Sequence, residues 1–135
     1  MQLRSFAVKS FDMTIDRFIT MSTPLRTFQV DALQVEVYRQ ETNLVDSLVT
    51  QTQSYLNAVI DRQGAAAAIL ASGASQIELL KNLTTFGEID WGRITLFHLD
   101  EYLGIGGTHP ASFQLFMREL VDRKVTLRKF NYLAG

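Results

Sequence analysis

The sequence predicts an α/β fold, a Rossmann-like open parallel sheet with helices on both faces, and three observations carry that prediction. Two short apolar runs, Ala66 to Ala71 and Arg93 to Leu99, each end in polar or glycine-containing turns. A segment with helical period follows each of them, and a longer helical period precedes the first. The order strand, helix, strand, helix, strand, helix is that of right-handed crossovers building a parallel sheet.

Residues 1 to 32 have mixed polarity and no sustained period, so they read as an N-terminal extension, with Met13 and Met21 as candidate internal starts. The domain proper is expected over residues 33 to 135. It begins with a strand at Leu33 to Tyr38, where Val35 and Val37 alternate with Gln34 and Glu36. Leu44, Val45, Leu48, Val49, Tyr55, Leu56, Val59 and Ile60 then recur at three- and four-residue spacing, which predicts one long amphipathic helix ending near Gly64.

Alanine is a strong helix former and a weak strand former, so Ala65 to Ala68 is the hardest stretch to assign. Gly64 stops the preceding helix and Ser72-Gly73 closes the run as a turn, which makes Ala66 to Ala71 a buried strand. Small side chains there let flanking helices approach the sheet. Ser75 and Glu78 have the spacing of a capping box at the start of the next helix, whose buried stripe is Ile77, Leu80 and Leu83. The strand Arg93 to Leu99 follows. Pro110 suits the first turn of a helix carrying Phe113, Phe116, Met117 and Leu120 on one face. A last short strand is expected around Phe130 to Leu133.

At 135 residues the chain supports one domain, and 47% hydrophobic with 20% charged residues is ordinary globular composition. A net charge of −1 leaves no electrostatic footprint for nucleic acid, and no basic helix face suggests a membrane surface. The absence of cysteine rules out disulfides, thiol catalysis and thiolate metal sites. No apolar run is long enough to span a bilayer, and Asp12, Asp16 and Arg17 interrupt any signal-peptide core. A cytoplasmic location is the expectation.

Chemistry concentrates in two places. Ser72-Gly73-Ala74-Ser75 joins a predicted strand to a predicted helix start, where backbone amides and the helix dipole favour an anion. It matches neither the Walker A pattern nor G-x-G-x-x-G, and an ordinary turn with Ser75 as cap is the competing reading. Asp100 and Glu101 follow the second strand. Adjacent residues of a strand point to opposite faces, so one of them addresses a cleft and the other is structural. Tyr102 reads as a packed aromatic with its hydroxyl at the rim, His98 as a hydrogen-bonding residue beside the site, and His109 as a helix-capping, loop-ordering residue. No two histidines and a carboxylate have metal-ligand spacing on one element, so neither a metal nor a cofactor is expected.

Phe97-His98-Leu99-Asp100-Glu101-Tyr102-Leu103-Gly104, followed by Thr108-His109-Pro110-Ala111-Ser112-Phe113 and preceded by Leu70-Ala71-Ser72-Gly73-Ala74-Ser75, resembles the glucosamine-6-phosphate deaminase/isomerase family, whose relatives include 6-phosphogluconolactonases. The resemblance implies a sugar phosphate as substrate, held by Ser72, Gly73, Ala74 and Ser75. Ala74 and Gln76 depart from the family's loop, at the loss of one side-chain donor. It also implies that Asp100 is the base that takes a proton from the carbon next to the sugar carbonyl and returns it to its neighbour. The His-Pro-x-Ser motif at His109 is closer to the deaminases than to the lactonases.

The resemblance runs from about residue 33 to residue 135 and covers the N-terminal half of that family's fold. The Gly-x-Asp-Gly-His-Ile-type motif, which implies ring opening, does not occur here. The expectation is therefore a fragment, inactive as a deaminase by itself, whose half sheet exposes apolar surface and drives homo-oligomer formation. Two alternatives accompany it: a 6-phosphogluconolactonase-like hydrolase and a non-catalytic sugar-phosphate sensor.

Overall fold

The computed structural model describes residues 22–135. The expectations for Met13, Met21 and the rest of the first 21 residues lie outside the described part. The fold class is the one expected, a mixed α/β unit with a parallel sheet of three strands.

Two strands come first. β1, Arg26–Val30, pairs antiparallel with β2, Leu33–Val37, from Arg26 against Val37 to Val30 against Leu33. The two-residue connection turns through Asp31, whose φ of 50° is a left-handed conformation that a short polar side chain tolerates. So the predicted strand at Leu33 exists but does not join the parallel sheet. Its hydrogen-bonding partner is a segment inside the stretch read as an extension.

α1, Glu41–Gln63, turns Val45, Val49, Leu56 and Ile60 inward. Gly64 ends it in the left-handed region (φ 78°), and its amide donates to the Ile60 carbonyl at 2.7 Å, the expected glycine stop. β3, Ala66–Leu70, follows after one residue, and the alanine run is a strand as predicted. Ala66 is buried in one cluster with Leu56 and Ile60 of α1, so the missing side-chain bulk is filled by the helix.

The capping box does not form. A tight turn at Ala74–Gln76 precedes α2, Ile77–Phe86, which moves the cap position to Gln76. The Ser75 hydroxyl accepts from Gln76 Nε2 instead, and Glu78 pairs forward with Lys81 at 3.0 Å. Leu80 and Leu83 are buried as expected. Leu80 belongs to the main core and Leu83 packs with Val45 and Val49, so α2 bridges two clusters.

β4, Ile94–His98, is the central strand of the order β3-β4-β5, and β5 is Lys129–Asn131. α3, Phe113–Met117, lies between them and continues as a wider turn over Arg118–Asp122. Pro110 does not sit in its first turn. Ser112 caps α3 by accepting from the amides of Gln114 and Leu115, so the helix starts three residues after the proline.

Ile94 and Leu96 are fully buried with Met117 and Val121, and truncating a side chain of this kind to alanine costs about 2–5 kcal/mol. Leu56, Ile60, Leu80 and Met117 from the three helices share that cluster with Ile94 and Leu96 on one face of the sheet. On the other face Ile69 is 65% exposed and Leu99, just past β4, 60%.

Candidate functional site

β3 and β4 run parallel with Leu70 opposite His98, and the Leu99 amide extends the ladder by donating to the Leu70 carbonyl at 3.0 Å. Their carboxyl ends therefore release two loops at the same sheet edge, Ser72–Ser75 from β3 and Asp100 onwards from β4. Ligands of open α/β sheets bind at such an edge.

The first loop is lightly tied. Its internal contacts are the Gln76 amide on the Gly73 carbonyl at 3.0 Å and the amide of Ile77 on the Ala74 carbonyl. The amides of Gly73, Ala74 and Ser75 make no backbone hydrogen bond among the described residues. A Cβ built on Gly73 would meet no atom within 4 Å, so the space over the loop is open to a ligand. Three free donors at the start of a ten-residue helix form the environment an anion requires.

The second loop is knitted together by Glu101. Its carboxylate accepts from the Ser112 hydroxyl at 2.6 Å and from the amides of Tyr102, Phe113 and Gln114 at 2.9, 3.0 and 2.9 Å. Burial pushes the Glu101 pKa up, but the Ser112 hydroxyl and those three amides outweigh it and hold the group at about 2 against an ordinary 4.5. Glu101 is thus the cap that the start of α3 receives from eleven to thirteen residues upstream. Asp100 is exposed and makes no hydrogen bond or ion pair among the described residues. The two neighbouring carboxylates, both past the end of β4, divide all the same: Glu101 is held by four donors and Asp100 by none among the described residues.

The other residues singled out from sequence take places around this pair. His109 Nδ1 accepts from the Ala111 amide at 3.1 Å, and the Ser112 amide donates to the His109 carbonyl at 2.9 Å. His109 therefore orders the turn that delivers Ser112 to Glu101. Tyr102 is exposed but stacks on Phe113 with ring centroids 5.1 Å apart. His98 is 2% exposed, and its Nε2 accepts from the Leu133 amide at 2.8 Å. That bond ties the segment after β5 to the end of β4. Gly135 lies against the same loop, where a Cβ would collide with the backbone carbonyls of Tyr102 and Ile105. Ser112 is the serine of the His-Pro-x-Ser motif and a small hydroxyl residue directly before an apolar helical stripe, but neither signal assigns it to Glu101, and nothing local assigns Leu133 to His98 or Gly135 to this loop. Among the described residues no group of three histidine, aspartate or glutamate side chains is placed to hold a metal, and no helix is long and apolar enough to cross a membrane.

Fold and edge together define a partial Rossmann-like unit of the kind found in 6-phosphogluconolactonases and glucosamine-6-phosphate deaminases. A 6-phosphogluconolactonase from Shewanella baltica superposes with a TM-score of 0.64 at 22% identity, over 73% of this chain and 42% of that one. A monomeric glucosamine-6-phosphate deaminase superposes with a TM-score of 0.55 at 18% identity, over 67% and 40%. In sequence, the glucosamine-6-phosphate deaminase of Shewanella woodyi is 38% identical over 65 residues, which are 46% of this chain and 25% of that protein. The chain spans about a quarter of the length of the curated relatives it matches. No family model matches it.

Proposed function

We propose that this chain carries the phosphate-holding loop and the proton-transferring carboxylate of a sugar-phosphate enzyme, with aldose-ketose isomerisation of an amino-sugar phosphate and release of ammonia as the reaction. One observation carries the reading: of two adjacent acids at the sheet edge, Glu101 is consumed by four donors and Asp100 has none among the described residues. A carboxylate with no structural duty, beside a loop with three free amides, suits a base acting on a substrate anchored by its phosphate. In the proposed reaction Asp100 takes the proton from carbon 2 of the open-chain sugar and returns it to carbon 1. Water then replaces nitrogen at carbon 2, leaving a keto-sugar phosphate and ammonia. The sequence similarity to deaminases supports this choice of substrate.

Proton abstraction is measurable directly. Glucosamine 6-phosphate incubated with the chain in D2O should lose its carbon-2 proton signal through the open-chain fraction present in solution, a partial step that needs no ring-opening residue and falls short of deaminase turnover, and Asp100→Asn should slow that exchange by about two to four orders of magnitude, the contribution of a positioned base. Exchange that survives in Asp100→Asn reassigns the base. No exchange in the unaltered chain rejects the catalytic reading. Lactone hydrolysis is the second reading, supported by the fold likeness to the Shewanella baltica enzyme. Acid release from 6-phosphogluconolactone without carbon-2 exchange would select it.

A further inference from the structure

β3 is an outer strand of the parallel sheet, paired with β4 alone. The Leu70 carbonyl accepts from the Leu99 amide, so Ala66, Ala68 and Leu70 aim their backbone groups at β4, and the alternate residues Ala67 and Ile69 aim theirs away. Among the described residues nothing pairs with that outer side. Natural sheets blunt such an edge with a charge, a proline or a bulge. Ala65-Ala66-Ala67-Ala68-Ile69-Leu70-Ala71 has neither charge nor proline, and its register with β4 runs without a bulge.

Beside this edge a groove of about 450 Å³ lies between β3 and α1, walled by Leu48, Gln51, Thr52 and Tyr55 of the helix and by Ala67 to Leu70 of the strand. Tyr55 is 70% exposed on it. No charged side chain among the described residues lines the groove, so it gives a partner of opposite charge nothing to recognise. Two copies of the same chain meet there without repulsion, as a two-fold contact requires.

We infer that β3 pairs antiparallel with β3 of a second copy about a two-fold axis at Ala68, joining two three-stranded sheets into one of six strands. Ala68 is the middle residue of the apolar run, so an axis there uses the run from end to end. It sets Ala67 opposite Ile69 of the partner subunit. Both aim their backbone groups outward, so each such pair exchanges two N–H···O bonds, and the branched Ile69 side chain lies beside a methyl group. Opposite residues share a face of the sheet, which puts both α1 helices on the same side and joins the two grooves over the seam, where Tyr55 becomes covered. The pairing goes beyond the function proposed above and does not depend on the chemistry at the carboxyl edge.

A single introduced cysteine reads the register, because the chain has none of its own. At the axis Ala68 stands opposite its own copy in a non-hydrogen-bonded pair, with Cα atoms about 4.5 Å apart and within disulfide reach, whereas Ala67 stands roughly 9 Å from its copy and outside it. Under mild oxidation Ala68→Cys should therefore link at least about tenfold faster than Ala67→Cys. Random collision would favour Ala67, the more exposed position. At about 100 μM the unaltered chain should sediment with twice the mass of one copy, and its Ala67 and Ile69 amides should exchange about tenfold more slowly than in dilute solution. Ile69→Lys, at a position 65% exposed in the single copy, brings like charges together near the axis and should sediment as one copy with its circular dichroism unchanged. If that variant fails to fold, the linking and exchange rates decide without it. A chain that sediments singly at the same concentration overturns the pairing, whether a segment before Ser22 or another polypeptide covers β3. Linking at Ala67→Cys as fast as at Ala68→Cys, or a doubled mass that persists in Ile69→Lys, overturns it as well and assigns the contact to another surface.

Discussion

The loops that follow β3 and β4 leave the sheet at the same edge and are built on opposite plans. The Asp100–Ser112 loop closes on itself, with one carboxylate gathering a hydroxyl and three amides and a histidine ordering the turn that brings them there. Among the described residues the Ser72–Ser75 loop leaves three amides unused and Ser75 bonded only to its neighbour. The difference teaches which parts of an edge are scaffold and which are receptor. A loop that satisfies its own polar groups fixes the geometry of what it carries, here Asp100, and a loop that does not satisfy them offers them to a ligand.

The contrast is broken most severely by removing the knot. Glu101→Ala leaves the Ser112 hydroxyl and the Tyr102 and Phe113 amides without their acceptor, leaves the Gln114 amide with Ser112 alone, and takes the negative cap from the helix start. Charge-assisted bonds and caps of this type together, reduced by the carboxylate's partial access to solvent, are worth about 2 kcal/mol. The urea midpoint should fall accordingly with an unchanged slope. A midpoint equal to that of the unaltered chain would show that the second loop is no more tightly built than the first.

Acid titration is a gentler probe of the same group. The Glu101 pKa is depressed in the folded state, to about 2 from 4.5, so the unfolded chain binds its proton first. The stabilisation is complete above about pH 4.5 and is lost as pH falls towards 2. Glu101→Gln, which has nothing to titrate, should show a flatter decline over that window. Parallel declines in the two proteins would remove Glu101 as the source.

What the sequence made legible here divides along the same line as the loops. Periodic burial is written locally, so α1 and its glycine stop, the alanine strand, β4 and the stripe of α2 were all readable from spacing. β1 was not, because Arg26-Thr27-Phe28-Gln29-Val30 alternates with only two apolar residues, against the three of β2. The capping box failed because an added tight turn displaced Ser75 by one position from the cap, a shift that residue spacing does not encode. Glu101 was legible as one of two alternative carboxylates, and reading them as strand residues divided the pair. Three of its four partners were not, since they lie eleven to thirteen residues away and are brought to it by a turn centred on His109 and Pro110. The bond that His98 makes depends on Leu133, thirty-five residues along the chain, and no local motif announces it.

The smallest expected effect sharpens the comparison most, because it separates structure from binding in the open loop. Had Ser75 capped α2, its removal would cost about 1 kcal/mol. It does not cap the helix, and the one bond it accepts, from Gln76 Nε2 at 3.2 Å, is exposed. Ser75→Ala should therefore leave stability within about 0.5 kcal/mol of the unaltered chain. Its hydroxyl stands beside the free amides of Gly73 and Ala74, so the same variant should bind inorganic phosphate about two- to tenfold more weakly, the range for one hydrogen bond to an anion. Denaturation and phosphate titration of this one protein test both halves. A loss of stability without a loss of phosphate affinity would make the loop after β3 a structural turn, and the two loops would then differ in tightness alone.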